Sequence, residues 1–185
     1  MFIEPSIGPM RYYTTNYTRG LFDLTKKLLN AGKTHNMAEV GCYCGESTVH
    51  FACVFDSVIA VDIWEGGWSK TDVTANQDFR KVESNFDFLT RNFKNIRKIK
   101  GESNCVSSTF VNGQFDFVYL DGNHSYDSVI NDMNSWWRKT NRCMGGHDYN
   151  MASVKEAVNE FLQTNNISTN CLTTYCDNSW LILIP

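Results

Sequence analysis

Glu39-Val40-Gly41-Cys42-Tyr43-Cys44-Gly45-Glu46-Ser47 is the stretch on which the fold turns. An acidic residue closes an apolar run, two glycines four apart make a tight turn, and a helix-forming run follows. A strand that turns on glycines into a helix aims backbone N–H groups and a positive helix end at the crevice beyond it. Glycine suits such a turn because a Cβ would block close backbone approach or resist a positive φ. Two common ligand motifs are absent: neither G-x-G-x-x-G of dinucleotide-binding folds nor G-x-x-x-x-G-K-[ST] of phosphate loops is present.

Upstream of the turn, an irregular arm is expected over residues 1–17. Leu21, Leu24 and Leu28 then predict a helix over 18–30, followed by a weakly apolar strand over 35–40. Downstream, Val49, Ala52 and Cys53 predict a helix over 47–55. Val58-Ile59-Ala60-Val61-Asp62 is a buried-type strand ending in a carboxylate. Phe79, Val82, Phe86, Leu89 and Phe93 recur at helical spacing, the clearest amphipathic pattern in the chain. Phe79, Phe86 and Phe93 are assigned to the core, with Trp136 and Trp137. A short strand over 98–100 leads to Gly101-Glu102-Ser103, and 115–121 is a strand that again ends in a carboxylate, Asp121. A helix over 125–137, a strand over 143–146 closed by His147-Asp148-Tyr149, and a helix over 151–163 follow. The last strands, 170–176 and 180–184, are joined as a hairpin by Asp177-Asn178-Ser179.

Alternating strands and helices with a closing hairpin predict an α/β fold. The expected form is a single domain over 1–185, built on a doubly wound, mostly parallel seven-stranded sheet with an antiparallel C-terminal edge strand over 180–184. Ligands of such sheets bind beyond the carboxyl ends of the strands. That rule gathers Glu39, Asp62, Asp121 and Asp148 along one rim. Asp62 lies 21 residues after Gly41, close to the interval at which an acid meets a ribose hydroxyl. Glu102 and Ser103 are expected beside an adenine, and Trp64 either stacks on it or lies as a lid over the core. The segment over 66–77 is expected to help cover the substrate.

Apolar residues make up 42% and charged residues 20% of the chain, a globular rather than disordered balance. A net charge of −3 gives no reason to expect nucleic acid as partner. No apolar run approaches the roughly 20 residues of a membrane span, so no membrane partner is expected. Residues 1–10 lack a charged head before an apolar block and do not read as a signal peptide. The seven cysteines include no C-x-x-C pair, so reduced thiols packed as small hydrophobes and a cytoplasmic location are expected.

Six blocks fall in the order seen in class I S-adenosylmethionine-dependent methyltransferases, which are Rossmann-like. They are Glu39 to Ser47, Val61-Asp62, Gly101-Glu102-Ser103, Tyr119 to Tyr126, Gly145 to Tyr149 and Val154 to Val158. The chain resembles the group similar to macrocin and catechol O-methyltransferases. The resemblance implies that S-adenosyl-L-methionine is held by Glu39, Gly41, Cys42, Tyr43, Gly45, Ser47, Asp62, Ile63, Trp64, Glu102, Ser103 and Asp121.

In catechol-type relatives an Asp after strand four and an Asp-Asn pair after strand five hold a divalent metal such as Mg²⁺. The matching residues are Asp121 and Asp148. Tyr149 stands at the Asn position, which leaves His147 or Asn150 as the further ligand. The base lysine of those relatives corresponds to His124, whose ordinary pKa near 6.5 suits proton removal near neutral pH. Asp121, His124 and Asp148 are thus the catalytic candidates, with His124 the base or an additional ligand, and Asp121, Asp148 and His147 the metal candidates. Two carboxylates and two imidazoles hold a divalent ion or work without metal as an acid–base pair. Repulsion between unshielded carboxylates favours the metal.

The expected activity is S-adenosylmethionine-dependent methyl transfer to an oxygen of a small hydroxylated molecule. The alternative is a catalytically silent cofactor-binding domain acting as a partner or scaffold subunit. A homodimer is left open.

Overall fold

The computed structural model describes residues 15–66 and 76–184. In chain order the elements are α1 (Thr15–Asn30), β1 (Asn36–Val40), α2 (Glu46–Ala52), β2 (Ser57–Asp62), α3 (Phe79–Thr90) and β3 (Ile96–Lys100). There follow α4 (Ser103–Ser108), β4 (Phe117–Leu120), α5 (Tyr126–Trp137), β5 (Cys143–Gly146), α6 (Ala152–Thr164), β6 (Leu172–Thr174) and β7 (Trp180–Leu183). The seven strands form one sheet in the order β3-β2-β1-β4-β5-β7-β6. The first five run parallel, and β7 is antiparallel to both β5 and β6. This is the expected Rossmann-like arrangement.

Three local expectations are revised. The strand at the edge of the sheet is β6, while β7 lies between β5 and β6. Burial explains the order: Trp180, Leu181 and Ile182 are enclosed, whereas the three residues of β6 are only partly covered. A short, polar strand is the safer one to leave unpaired at an edge. Helix α1 begins at Thr15, so the irregular arm does not extend through 15–17. A helix not foreseen, α4, follows Glu102. Residues 1–14, the rest of the expected arm, and 67–75, most of the expected substrate cover, lie outside the described residues.

Period-two alternation sends neighbouring side chains of each strand to opposite faces. Along β4, Phe117 and Tyr119 meet Leu21, Leu24 and Leu28 of α1 and Phe51 of α2. Val118 and Leu120 face the other way, against Met133 and Trp136 of α5 and Val154, Ala157 and Phe161 of α6. Each fully buried side chain of this size contributes about 1.5–3 kcal/mol relative to exposure. A third cluster under the glycine turn joins Cys42, Cys44, Ala60, Trp64, Val82 and Phe86. Phe86 and Trp136 are core as expected, whereas Phe79, Phe93 and Trp137 are only partly buried.

All seven cysteines are free; Cys42, Cys44 and Cys143 are buried, while Cys53, Cys105 and Cys176 are exposed and Cys171 is intermediate. Among the described residues no helix is long and apolar enough to cross a membrane.

Candidate active site

The turn after β1 is built on left-handed backbone at three positions: Gly41 at φ 87°, Tyr43 at φ 47° and Gly45 at φ 92°. Gly45 caps α2, and its N–H donates to the Cys42 carbonyl at 2.8 Å. Glu39 braces this turn from behind. Its side chain is fully buried, and its two carboxylate oxygens accept the hydroxyls of Ser47 and Thr48 on α2. Burial pushes its pKa up to about 7, against the pull of those hydroxyl bonds.

A cavity of about 550 Å³ opens beyond the carboxyl ends of the strands, within the size range of small-molecule sites. Of the residues expected at a cofactor, Gly41, Cys42, Tyr43, Ser47, Asp62, Ile63, Glu102, Ser103 and Asp121 line it. Glu39, Gly45 and Trp64 do not. Glu39 is committed to α2, and Gly45 shapes the helix start with its Cα turned to Phe86.

Trp64 is only 2% exposed. Its backbone is left-handed at φ 43°, its indole N–H donates to the Tyr43 carbonyl at 2.9 Å, and its ring meets Phe86 at 4.9 Å. Of the two readings of this residue, the ring over the core is the one observed. Phe79, assigned to the core from sequence, lines the cavity instead.

Asp62 ties the two turns together. One carboxylate oxygen accepts the Tyr43 N–H at 2.9 Å and the other the Trp64 N–H at 2.7 Å. Burial raises its pKa, and these backbone N–H bonds oppose the rise.

At one edge of the cavity the exits of β4 and β5 meet. These strands are parallel neighbours, Leu120 lies beside Gly146, and His147 continues the ladder by donating its N–H to the Leu120 carbonyl at 3.1 Å. Asp148 then takes a left-handed conformation, φ 57°. It is held there by the Met151 N–H on its own carbonyl at 2.9 Å and by the Tyr149 N–H on the Asn178 carbonyl at 3.0 Å. The turn after β4 is anchored separately, by the Ser153 hydroxyl donating to the His124 carbonyl at 2.6 Å.

His124 sits between the two carboxylates. Its Nε2 lies 3.0 Å from Asp148 Oδ2 and 3.6 Å from Asp121 Oδ1. Asp121, His124 and Asp148 each present one ligand atom, all within 4.8 Å of one another. The third member of the cluster is therefore His124, not His147. His147 approaches Asp148 at 3.3 Å through Nδ1 and gives its carbonyl to the Trp180 indole at 3.1 Å. It lines a separate cavity of about 10 Å³ behind the cluster, room for about one water. Tyr149 turns its hydroxyl to Asn159 at 3.2 Å, away from the carboxylates.

Opposite charges face one another across the cluster. Burial acts to lower the His124 pKa, but hydrogen bonds and charge from Asp121 and Asp148 win and hold it at about 10. His147 is held at about 9 for the same reason, with Asp148 its main partner. Burial acts to raise the Asp148 carboxyl, but the two imidazoles pull it well below the ordinary carboxylate range. One site residue escaped the sequence reading: Asp132, in the middle of α5, lines both cavities.

A family model described as Methyltransferase domain matches residues 38–149, from β1 through the Asp148 turn. The chain belongs to this methyltransferase-domain family. Among solved structures, this methyltransferase is similar to cofactor-bound Rv0187 from MTB, at TM-score 0.61 and 14% identity over 95% of this chain and 83% of that one. It is also similar to a protein assigned as an O-methyltransferase from Klebsiella pneumoniae, at TM-score 0.59 and 13% identity over 94% and 81% of the two chains. A SAM-dependent methyltransferase from Aquifex aeolicus aligns at TM-score 0.51 and 13% identity over 85% and 87%. These likenesses show the shared fold. No curated protein matches the sequence.

Proposed function

We propose that this methyltransferase uses S-adenosylmethionine to methylate an oxygen of a small hydroxylated acceptor, with a divalent cation held by Asp121, His124 and Asp148. In this it would act like the macrocin and catechol O-methyltransferase group that its sequence resembles. The observation that carries the reading is the convergence of two carboxylates and an imidazole at the edge of a cofactor-sized cavity.

The donor set fits the cation. Two carboxylate oxygens and one imidazole nitrogen within 4.8 Å suit an oxygen-preferring divalent ion. When bound, the cofactor supplies a methyl group on a sulfonium, and the cation supplies a Lewis acid that lowers the pKa of a hydroxyl. The chain's own part is positioning and charge. The turn at Gly41 to Tyr43 closes one wall, and Asp62 offers its remaining lone pairs to the ribose hydroxyls. Alignment of the two reacting atoms about 3 Å apart is then the main catalytic contribution of the fold.

Of the two roles open to His124, base and additional ligand, the charge around it favours the second. Held at about 10, its imidazole carries a proton at neutral pH and has no lone pair with which to take another. It is the counter-charge that keeps Asp121 and Asp148 together in the metal-free protein. Were a cation held by the two carboxylates, they would no longer need that counter-charge, and a neutral His124 would be able to serve as the third ligand.

Calorimetric titration with S-adenosylhomocysteine, with and without Mg²⁺ or Mn²⁺, tests both halves. Binding with micromolar affinity, and cation binding lost in Asp148→Asn while cofactor binding persists, is the expected outcome. Full methyl transfer in chelator on a panel of hydroxyl compounds would remove the cation from the reading. Cofactor binding with no product on any member of the panel would favour a silent cofactor-binding domain.

A further inference from the structure

His147 is clamped by both of its backbone groups. Its N–H donates to the Leu120 carbonyl and its own carbonyl accepts the Trp180 indole N–H, each at 3.1 Å. Leu120 and Trp180 are buried, so the imidazole leaves the backbone from a fixed base. It reaches Asp148, with Nδ1 lying 3.3 Å from Oδ2, whereas His124 stands between Asp148 and Asp121. Asp148 itself lies past the end of β5 on left-handed backbone, where strand pairing no longer fixes the direction of its side chain.

Behind this pair lies the small cavity of about 10 Å³. Asn123, His124, Asp132 and His147 give it polar walls, and Val154 and Trp180 apolar ones. Asp132 arrives from α5 with its carboxylate close to the β4 exit: a Cβ on Gly122 would stand 3.9 Å from Asp132 Oδ2. A buried water needs room for about one probe sphere and two to four polar partners. This cavity offers both.

We propose that His147 is a positioning residue of the cation site: its Nδ1–H aims the Asp148 carboxylate, and its Nε2 shares one water in the small cavity with Asp132. The proposal rests on the cation reading above and deepens it. Hydrogen bonds from an outer layer of residues orient the ligands of a metal and tune its affinity. Here that layer runs from α5 through the water and His147 to Asp148. The sequence placed His147 among the ligands themselves. The ring instead meets the same Asp148 oxygen that His124 faces, which leaves Oδ1 of that carboxylate for the ion.

The test titrates Mn²⁺ alone, and separately S-adenosylhomocysteine, into the full chain by calorimetry. His147→Ala should bind Mn²⁺ about 10- to 100-fold more weakly, the scale of a lost outer-layer partner, with S-adenosylhomocysteine affinity within about twofold of the parent. His147→Asn, whose amide nitrogen stands where Nδ1 does, should recover Mn²⁺ affinity to within about threefold. Val154→Ile fills the small cavity and keeps both polar side chains; it should weaken Mn²⁺ by about threefold or more. That variant also serves if the alanine variant does not fold. Spin-echo nitrogen modulation of bound Mn²⁺ should show a single imidazole, unchanged in His147→Ala.

Parent-like Mn²⁺ affinity in His147→Ala overturns the proposal while the cation site stands, as does an equal fall for both ligands, which would mean a general loss of structure. A second imidazole signal that disappears in His147→Ala makes His147 a ligand instead. Parent-like Mn²⁺ affinity in Val154→Ile overturns the shared water. A parent that binds no Mn²⁺ removes the cation reading, and the positioning role of His147 with it.

Discussion

Gly41 and Asp121 are in backbone contact: a Cβ on Gly41 would stand 2.2 Å from the Asp121 carbonyl oxygen. The turn that walls the cavity and the residue that opens the metal candidate site are therefore one packed unit, though they are 80 residues apart in sequence. Gly41→Ala must both adopt φ 87° with a side chain and push the β4 exit away. Strained backbone costs about 1–3 kcal/mol, and overpacking adds a similar amount. Urea denaturation should show at least about 2 kcal/mol of lost stability, with cofactor affinity reduced more than tenfold. Parent-like values for both would mean that the two exits move independently.

Asp62→Ala should fail in two separable ways. Removing the proposed ribose acceptor should cost about 1.5–3 kcal/mol of cofactor binding. Removing the partner of the Tyr43 and Trp64 N–H groups leaves two donors unsatisfied and lowers stability as well. Calorimetry and thermal unfolding on the same samples distinguish the effects. Lost affinity with an unchanged Tm would mean that the two backbone bonds contribute nothing.

Glu39 gives the opposite pattern. Glu39→Gln keeps the shape and removes a charge that burial already disfavours, so stability at pH 8 should equal or exceed that of the parent. Glu39→Ala abandons the hydroxyls of Ser47 and Thr48 and should cost about 1–3 kcal/mol. Since the side chain does not line the cavity, cofactor affinity in Glu39→Gln should stay within about twofold, which is ~0.4 kcal/mol. A large loss of affinity there would return Glu39 to the ligand.

Stability in chelator should depend on pH through the same cluster. Folded His124 holds its proton up to about 10, against 6.5 for the free side chain. Its contribution is fully present below pH 6.5 and is lost as pH rises towards 10. His147 behaves alike up to about 9. Asp148 is depressed from 3.8, so its contribution is present above that value and is lost on acidification. Tm should be highest between about pH 4 and 6.5 and fall on both sides. His124→Asn should flatten the alkaline limb; an alkaline limb as steep as the parent's would show that the His124 ion pairs do not stabilise the fold.

The rim acids were legible because they obey a rule of position. Asp62 and Asp121 close strands with clear apolar runs, Asp148 follows the short strand β5, and a parallel sheet delivers such ends to one edge. What escaped depends on details that no period encodes. Helix α4 is six residues long with Val106 as its one buried apolar side chain, too little to register as amphipathic. Trp64 points inward because its own backbone is left-handed, a conformation that its sequence does not announce. Asp132 looks like solvated surface in an amphipathic helix until the exits of the strands bring both cavities to it. The choice of His124 over His147 turns on side-chain directions at two adjacent turns, which spacing alone leaves equal.

The left-handed residue at Asp148 gives the site a kind of tolerance. Strand register sets the level of the β4 and β5 exits, and the reversal at φ 57° brings the second carboxylate to the imidazole that the first one also faces. The carboxylate pair is thus a property of the sheet, whereas the third donor hangs on a surface turn held through the Ser153 hydroxyl and the His124 carbonyl. The imidazole can shift with its own turn while the two carboxylates stay paired, so the pair and its neighbour answer to separate parts of the chain.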